Sequence, residues 1–308
     1  MAFVATLLSE HVTDRERGAW GNKAFVLSEL CQDGFPVPPG FVIRTEAFDS
    51  FMASNGINDG DMGSSIAEQF QELRRRVLEG RVPPDVEDVI LRHVGTLHNE
   101  CVAIRSSATF EDSESQSCAG QFDSFLGVTR ETLIANIKSC WASLFTHRPD
   151  GCGAQRMEVG KMAVIVQEMV DADVSGVCFS ADPVTGDSGR IVIEAISGLG
   201  ELLVQGLVVP DQYTVEKDTF AILHKRVSAQ QQELRLKIPG GGLRISLPNP
   251  CIRAQKAEDE AIRAVADLAL QVERKYRRAI DIEWALNGKQ LFLLQARPVT
   301  TPSLASHE

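Results

Sequence analysis

Two short runs near the end of the chain carry the clearest chemical signal. Asp281 and Glu283 alternate with Ile280, Ile282 and Trp284, and Gln295 and Arg297 alternate with Leu294, Ala296 and Pro298. Asn287-Gly288 separates the runs, a strong short-range signal for a β-hairpin. Acids and amides within apolar strands are costly to bury unless they are paired or hold a metal. Mg2+ takes hard oxygens from one or two side chains and completes its shell with phosphate and water. Glu283 and Gln295 would supply such oxygens, with Arg297 as a phosphate clamp. Register tests this idea. A two-residue turn at Asn287-Gly288 pairs 286 with 289 and sets Glu283 and Gln295 on opposite faces. A three-residue loop over 287–289 pairs 283 with 293 and returns Gln295 to the face of Glu283. A shared metal therefore predicts an odd loop, and a two-residue turn counts against it.

A second constellation lies upstream. Val102-Ala103-Ile104-Arg105 reads as a buried strand that ends on a cation and then a hydroxyl run, Ser106-Ser107-Ala108-Thr109. A polar, glycine-bearing loop follows, through Glu111-Asp112-Ser113 to Ala119-Gly120-Gln121-Phe122-Asp123-Ser124. Arginine forks and glycine-exposed backbone N–H groups both suit a polyphosphate. Taken alone, the stretch reads equally as an ion pair at a strand end. Lys23 starts a helix after the glycine-rich Gly18-Ala19-Trp20-Gly21, where the helix dipole disfavours a cation unless an anion is near. In isolation Lys23 is a solvated surface lysine.

The elements that must position these groups are legible in outline. Helices are expected over residues 45–53, 64–78, from Pro83-Pro84 to about His98, and from Glu131 to about Thr146 with Thr129 as its cap. A last helix runs from about Lys256 to Arg277, with Glu258, Asp259 and Glu260 at its start and Arg274, Lys275 and Arg277 at its end. Strands are expected after the proline turn at residues 34–40, at Met162–Val170, Val174–Ser180, Arg190–Ala195 and Gln212–Glu216, and at Ala221–Lys225. Residues 230–250, rich in glycine and proline, read as a mobile excursion.

Composition narrows the field. At 308 residues with 44% hydrophobic and 24% charged content, the chain is an ordinary globular protein with room for two cores. A net charge of −11 argues against a duplex nucleic-acid binder. No uncharged run is long enough to span a bilayer and the N-terminus lacks a basic region, so a cytoplasmic location is the expectation. The seven cysteines contain no Cys-x-x-Cys pair and read as reduced core residues. The six histidines are dispersed, and His93 and His98 miss the spacing of two ligands on one helix face, so no zinc site is assigned.

Seven blocks in order then define a resemblance: Gly21-Asn22-Lys23-Ala24; Pro36-Val37-Pro38-Pro39-Gly40-Phe41; Arg105-Ser106-Ser107-Ala108-Thr109 with Glu111-Asp112; Ala119-Gly120-Gln121; Val166-Gln167-Glu168-Met169-Val170; Gly198-Leu199-Gly200-Glu201; and Asp281-Ile282-Glu283-Trp284 with Leu294-Gln295-Ala296-Arg297-Pro298. Together they resemble the N-terminal ATP-grasp nucleotide-binding domain of phosphoenolpyruvate synthase and pyruvate phosphate dikinase, also found in rifampin phosphotransferase. The resemblance implies an α+β, two-lobed ATP-grasp fold with a nucleotide cleft between lobes, here divided as 1–168 and 169–308. By resemblance, Lys23, Arg105 and Arg297 hold ATP phosphates and carry the catalysis, and Gly120 and Ser124 lie on a phosphate-covering loop. Gln167, Glu168 and Met169 read the adenine edge, and Glu283 and Gln295 bind Mg2+. Asn22 departs from a second glycine and Phe110 from a small residue.

In that family ATP phosphorylates a histidine on a separate swivelling domain. None of the six histidines, that of Thr96-Leu97-His98 included, lies in a stretch resembling that mobile domain. The resemblance thus implies the ATP-binding subunit of a split enzyme of the phenylphosphate or 4-methylbenzyl phosphate synthase type. Its partner subunit would carry the histidine and the acceptor site, and AMP and phosphate would be released. An ATP-grasp ligase forming ADP, a regulatory nucleotide-binding subunit and a cut domain of a longer enzyme stand as alternatives.

Overall fold

The computed structural model describes residues 3–6, 12–57, 66–109, 124–146, 160–237, 241–246 and 253–299. Two compact units divide the chain. The first comprises Met1–Gly34, Pro39–Met169 and Ile238–Gly242; the second comprises Phe35–Pro38, Val170–Lys237 and Leu243–Glu308. The units exchange short segments for visible reasons. Pro36 joins the second unit by accepting a hydrogen bond from Leu293 N–H at 2.9 Å. Gly242 joins the first by donating to the Gly127 carbonyl at 3.0 Å.

Unit one is built on a five-stranded antiparallel sheet. Its strands are β1 (Val4–Thr6), β2 (Gly40–Ile43), β3 (Cys101–Ala108), β4 (Ser124–Thr129) and β5 (Met162–Glu168), ordered β1-β2-β5-β3-β4. The edge strand β1 has no counterpart in the expected elements. Three residues are too few to show an alternating pattern. The helices are α1 (Arg17–Trp20), α2 (Asn22–Gln32), α3 (Thr45–Ser54), α4 (Ile66–Glu79), α5 (Pro84–Val94) and α6 (Leu133–Ala142). One face of the sheet packs Phe41, Ile43, Val102, Ile104, Val164 and Val166 into a core with the buried faces of α3 to α6. Trp141 lies 5.0 Å from the Phe51 ring and 5.9 Å from the Phe48 ring in that core, each pair contributing about 0.5–1.5 kcal/mol beyond burial. Helix α6 begins later than Thr129 would allow. The strand β4 claims Thr129, and the Thr132 hydroxyl accepts its N–H at 3.2 Å, closing a turn before the helix.

Unit two holds a six-stranded antiparallel sheet ordered β13-β12-β6-β7-β8-β9. Here β6 is Val174–Phe179, β7 Arg190–Ser197, β8 Asp211–Glu216, β9 Ile222–Arg226, β12 Ile280–Asn287 and β13 Gln290–Pro298. A short helix α7 (Glu201–Val204) follows β7, and the long α8 (Asp259–Tyr276) packs against the sheet. Helix α8 covers the face bearing Cys178, Ile193, Tyr213 and Ile282: the N–H of Ala257, just before it, reaches the Tyr213 hydroxyl at 3.5 Å, and Lys217 pairs with Glu273 at 3.0 Å. Acids at the start of α8 and basic residues at its end match its dipole, as expected.

The described residues of the stretch 230–250, namely 230–237 and 241–246, are not the loose excursion its composition suggested. They contain a hairpin of β10 (Glu233–Leu236) and β11 (Leu243–Ser246), with Leu234 and Leu236 buried. Gln230, also buried, brackets Ser197 by accepting its N–H at 2.8 Å and donating to its carbonyl at 2.9 Å. Gly198, at φ +83°, lets the chain pass so close to Leu234 that a Cβ there would lie 2.5 Å from its carbonyl oxygen. The glycine turn at residues 198–200 therefore docks β10.

The class is mixed α+β with antiparallel sheets, as the resemblance implied. No helix among the described residues is long and apolar enough to cross a membrane. The four cysteines among them, Cys31, Cys101, Cys140 and Cys178, are buried; burial pushes the Cys31 and Cys178 thiols up, which keeps them protonated.

Candidate functional site

In unit two the charged and amide residues gather on the last hairpin. The turn has two residues, Gly288 and Lys289, because Asn287 pairs with Gln290. It lies one residue later than the expected turn, and its Gly288 takes φ +56°. An uninterrupted ladder from that turn would leave Glu283 and Gln295 on opposite faces, the outcome that counts against a shared metal. A bulge intervenes. Trp284 pairs with Leu293, but Glu283 pairs with Gln295, so Leu294 is the extra residue. The expectation of an odd loop is therefore corrected: the turn is even, and the bulge restores the shared face. Asp281 sits opposite Arg297 on the next like-facing rung, and its Oδ2 accepts from Nε at 2.8 Å and Nη2 at 2.7 Å.

The polar row extends further into the sheet than the hairpin. Glu283 pairs with Val177 on β6, Val177 with Glu194 on β7, and Glu194 with Gln212 on β8. Burial pushes the half-buried Glu194 carboxyl up, opposed by the Gln212 amide and Arg226 and reinforced by Asp281. Sequence reasoning passed over Glu194. The signal was the one used for Asp281 and Glu283, a lone acid inside the apolar run Ile191–Ile196. Trp284 occupies the opposite face, fully buried, beside Gly176, where a Cβ would overlap the Glu194 carbonyl.

In unit one the two candidate cations lie on packed elements, Lys23 at the start of α2 and Arg105 on β3. Arg105, at the end half of β3, pairs with Ile165 on β5 and with Ser124 on β4. Ser124 is thus the first residue of a strand rather than part of a loop. Arg105 and Ser107 project from the face opposite the Ile104 core, where α2 lies. Helix α2 starts on that face. Gly21, at φ +69°, sits so close to β3 that a Cβ would overlap the Ser107 carbonyl, and the Ser107 hydroxyl accepts the Ala24 N–H at 3.0 Å. Lys23 is the residue between. Asn22, the departure from a second glycine, accepts from Arg17 Nη1 at 2.9 Å, and the Arg17 guanidinium lies 4.2 Å from the Phe25 ring centroid. That clamp gives the asparagine a role the sequence did not disclose.

Gln167 and Glu168 end β5, and Met169 follows it. Gln167 is buried and pairs with Ala103 on one side and Gly40 on the other. Glu168 Oε1 accepts the His98 N–H at 2.6 Å, which ties down the loop before β3. The Met169 N–H reaches the Cys101 carbonyl at 3.4 Å, and its carbonyl accepts from Asn99 Nδ2 at 2.9 Å, leaving that oxygen a second lone pair. Gly120 lies outside the described residues, as do Phe110 and Glu111-Asp112.

The hairpin residues fit a magnesium ion. Among the described residues no group of three His, Cys, Asp or Glu side chains is arranged to hold a metal. Facing carboxylate and amide oxygens at Glu283 and Gln295 suit an ion that draws the rest of its shell from phosphate and water.

Cations beside a glycine turn suit phosphate oxygens, and hard oxygens on a hairpin suit the metal that accompanies them. Residues 18–308 match the pyruvate phosphate dikinase AMP/ATP-binding domain, and the chain belongs to that family. It is 31% identical to a "Probable phosphoenolpyruvate synthase" of Methanocaldococcus jannaschii, over 98% of this chain and 27% of that protein. Identity is 34% with the phosphoenolpyruvate synthase of Aeropyrum pernix, over 94% of this chain and 41% of that one. With the rifampicin phosphotransferase of Bacillus cereus it is 33%, over 91% and 34%. The chain spans between 27% and 45% of the length of these and similar curated relatives.

Proposed function

We propose that this chain binds Mg·ATP and delivers a phosphoryl group to a histidine on a partner subunit, which passes it to a small hydroxyl acceptor as AMP and phosphate are released. The observation that carries this reading is the bulge-set rung that faces Glu283 with Gln295, one like-facing rung from the Asp281–Arg297 pair. Folding alone gives no reason to place four hydrogen-bonding side chains on one sheet face beside apolar neighbours. Bound there, Mg2+ would neutralise phosphate charge. Lys23 and Arg105 would grip the phosphates from their packed elements, and Arg297 would turn from Asp281 to a phosphate oxygen. Gln167, Glu168 and Met169 would read the adenine, and Gly120 and Ser124 would flank the phosphates.

The names of the relatives support phosphoryl transfer as the class of reaction. A phenol, cresol or other aryl alcohol as acceptor rests on the resemblance to split aryl-phosphate synthases. The relatives' greater length favours a second reading, in which the histidine is carried by a further domain of a longer polypeptide.

The test is AMP release from MgATP by the chain together with its co-purifying histidine protein, with and without Arg105→Ala. Loss of about a hundredfold or more in the variant, with thermal stability kept, is expected. Near-normal turnover would sink the assignment, and ADP as the product would revive the ligase alternative.

A further inference from the structure

We infer that Ser107 is a positioning residue that fixes the Lys23 turn against the Arg105 strand, so that the two cations act as one anion clamp. The inference rests on the nucleotide reading above and deepens it.

Ser107 is fully buried, and its hydroxyl takes the N–H of Ala24, 83 residues away in sequence, at 3.0 Å. That N–H is among those a helix start leaves without an intrahelical partner. The usual solution is a side-chain oxygen at the cap itself. Here the cap is Gly21, which has none, and no side-chain cap bond is made from it. The strand supplies the oxygen instead. Gly21 fits only because it lacks a Cβ and holds φ +69°, which lets backbone meet backbone at Ser107. Lys23 precedes the bonded N–H by one residue, and Arg105 precedes the bonding hydroxyl by two, on the same strand face. The spacing between the two cations is therefore set by one hydrogen bond and one glycine contact, not by the flexible side chains alone. A clamp whose parts are pre-positioned binds its anion without first ordering them.

A double-mutant cycle on the full chain tests this, read by calorimetric titration of MgATP and by melting temperature. Ser107→Ala should raise the Kd for MgATP about five- to tenfold, the equivalent of losing one cap. In a Lys23→Ala background the same change should raise Kd less than about twofold, because the residue it positions is gone. Both backgrounds should lose a similar few degrees of melting temperature. A Kd unchanged by Ser107→Ala, or raised by the same factor in both backgrounds, would show a purely structural hydroxyl and overturn the inference. Should Ser107→Ala fail to fold, Ser107→Cys keeps nearly the same volume with a weaker acceptor and runs the same cycle, with the same non-additivity expected. If the unaltered chain does not bind MgATP, the nucleotide reading itself falls, an outcome distinct from failure of the cycle.

Discussion

Asp211–Lys256 and Asp281–Arg297 are both carboxylate–cation pairs on the six-stranded sheet, and they are built differently. The first has no exposed side-chain surface on either partner. Asp211 Oδ1 accepts from Lys256 Nζ at 2.7 Å and Ser228 N–H at 2.8 Å; Oδ2 accepts from the Tyr213 hydroxyl and the Lys256 N–H, both at 2.9 Å. Burial, and next the Asp211 carboxylate, push the Tyr213 phenol up, which keeps it a donor. Lys256 Nζ also donates to the Ser228 carbonyl. The bonds from Lys256 and Ser228 tie two loop segments to β8 and to each other, so the pair acts as a fastening. In the second pair Arg297 keeps 35% of its side chain exposed, and its Nε and Nη2 bonds to Asp281 land on one oxygen. Its neighbours on the sheet face are Glu283 and Gln295 rather than loops to be held. A cation so exposed can also reach a second anion, whereas Asp281 keeps only 7% of its side chain exposed. Satisfaction and exposure, more than the presence of a buried charge, separate a structural pair from a chemical one.

Substitution should separate the two pairs cleanly. Lys256→Met strands a buried carboxylate and should cost about 3–5 kcal/mol of stability, measured by urea unfolding. The MgATP affinity of the folded fraction should stay within about twofold. An affinity loss there would show that the fastening also serves the nucleotide, and the contrast would break. Glu283→Ala should behave in the opposite way. MgATP-dependent AMP formation should fall about a hundredfold, while the melting temperature moves by no more than about 2 °C. A large melting shift with intact turnover would place Glu283 with the structural group.

The same contrast explains what was legible in the sequence. Lone acids and amides in apolar strands marked Asp281, Glu283, Gln295 and Arg297, because an alternating strand leaves charge nowhere else to go. Their shared face was not legible by the right route. Parity holds for a regular ladder, but Leu294 gives no sign that it is bulged, and a bulge reverses parity. The Lys23 and Arg105 stretches were each readable as anion-binding, yet nothing in local spacing showed that Ser107 joins them across 83 residues. Lys256 read only as the start of a helix. A buried lysine looks like a solvated one until the chain around Asp211 is folded. The β10–β11 hairpin hid behind glycines and prolines, since strands of four residues leave room for only two inward positions each.

The smallest expected effect concerns Glu194, where the polar row of unit two meets the core. Burial raises its carboxyl above the unfolded value of 4.5. Between those two values the folded chain holds a proton that the unfolded chain has lost, so stability falls as pH rises through that window. The cost is absent at pH below the unfolded value and fully present above the folded one. Glu194→Gln removes a charge that the fold disfavours, so it should leave the melting temperature at about pH 4 unchanged. At about pH 8 it should raise the melting temperature by about 1–3 °C, a small gain because the half-exposed group is screened by solvent. An equal shift at both pH values would mean that packing, not charge, distinguishes the variant. The desolvated polar row would then end at Glu283 and Asp281, on the hairpin itself.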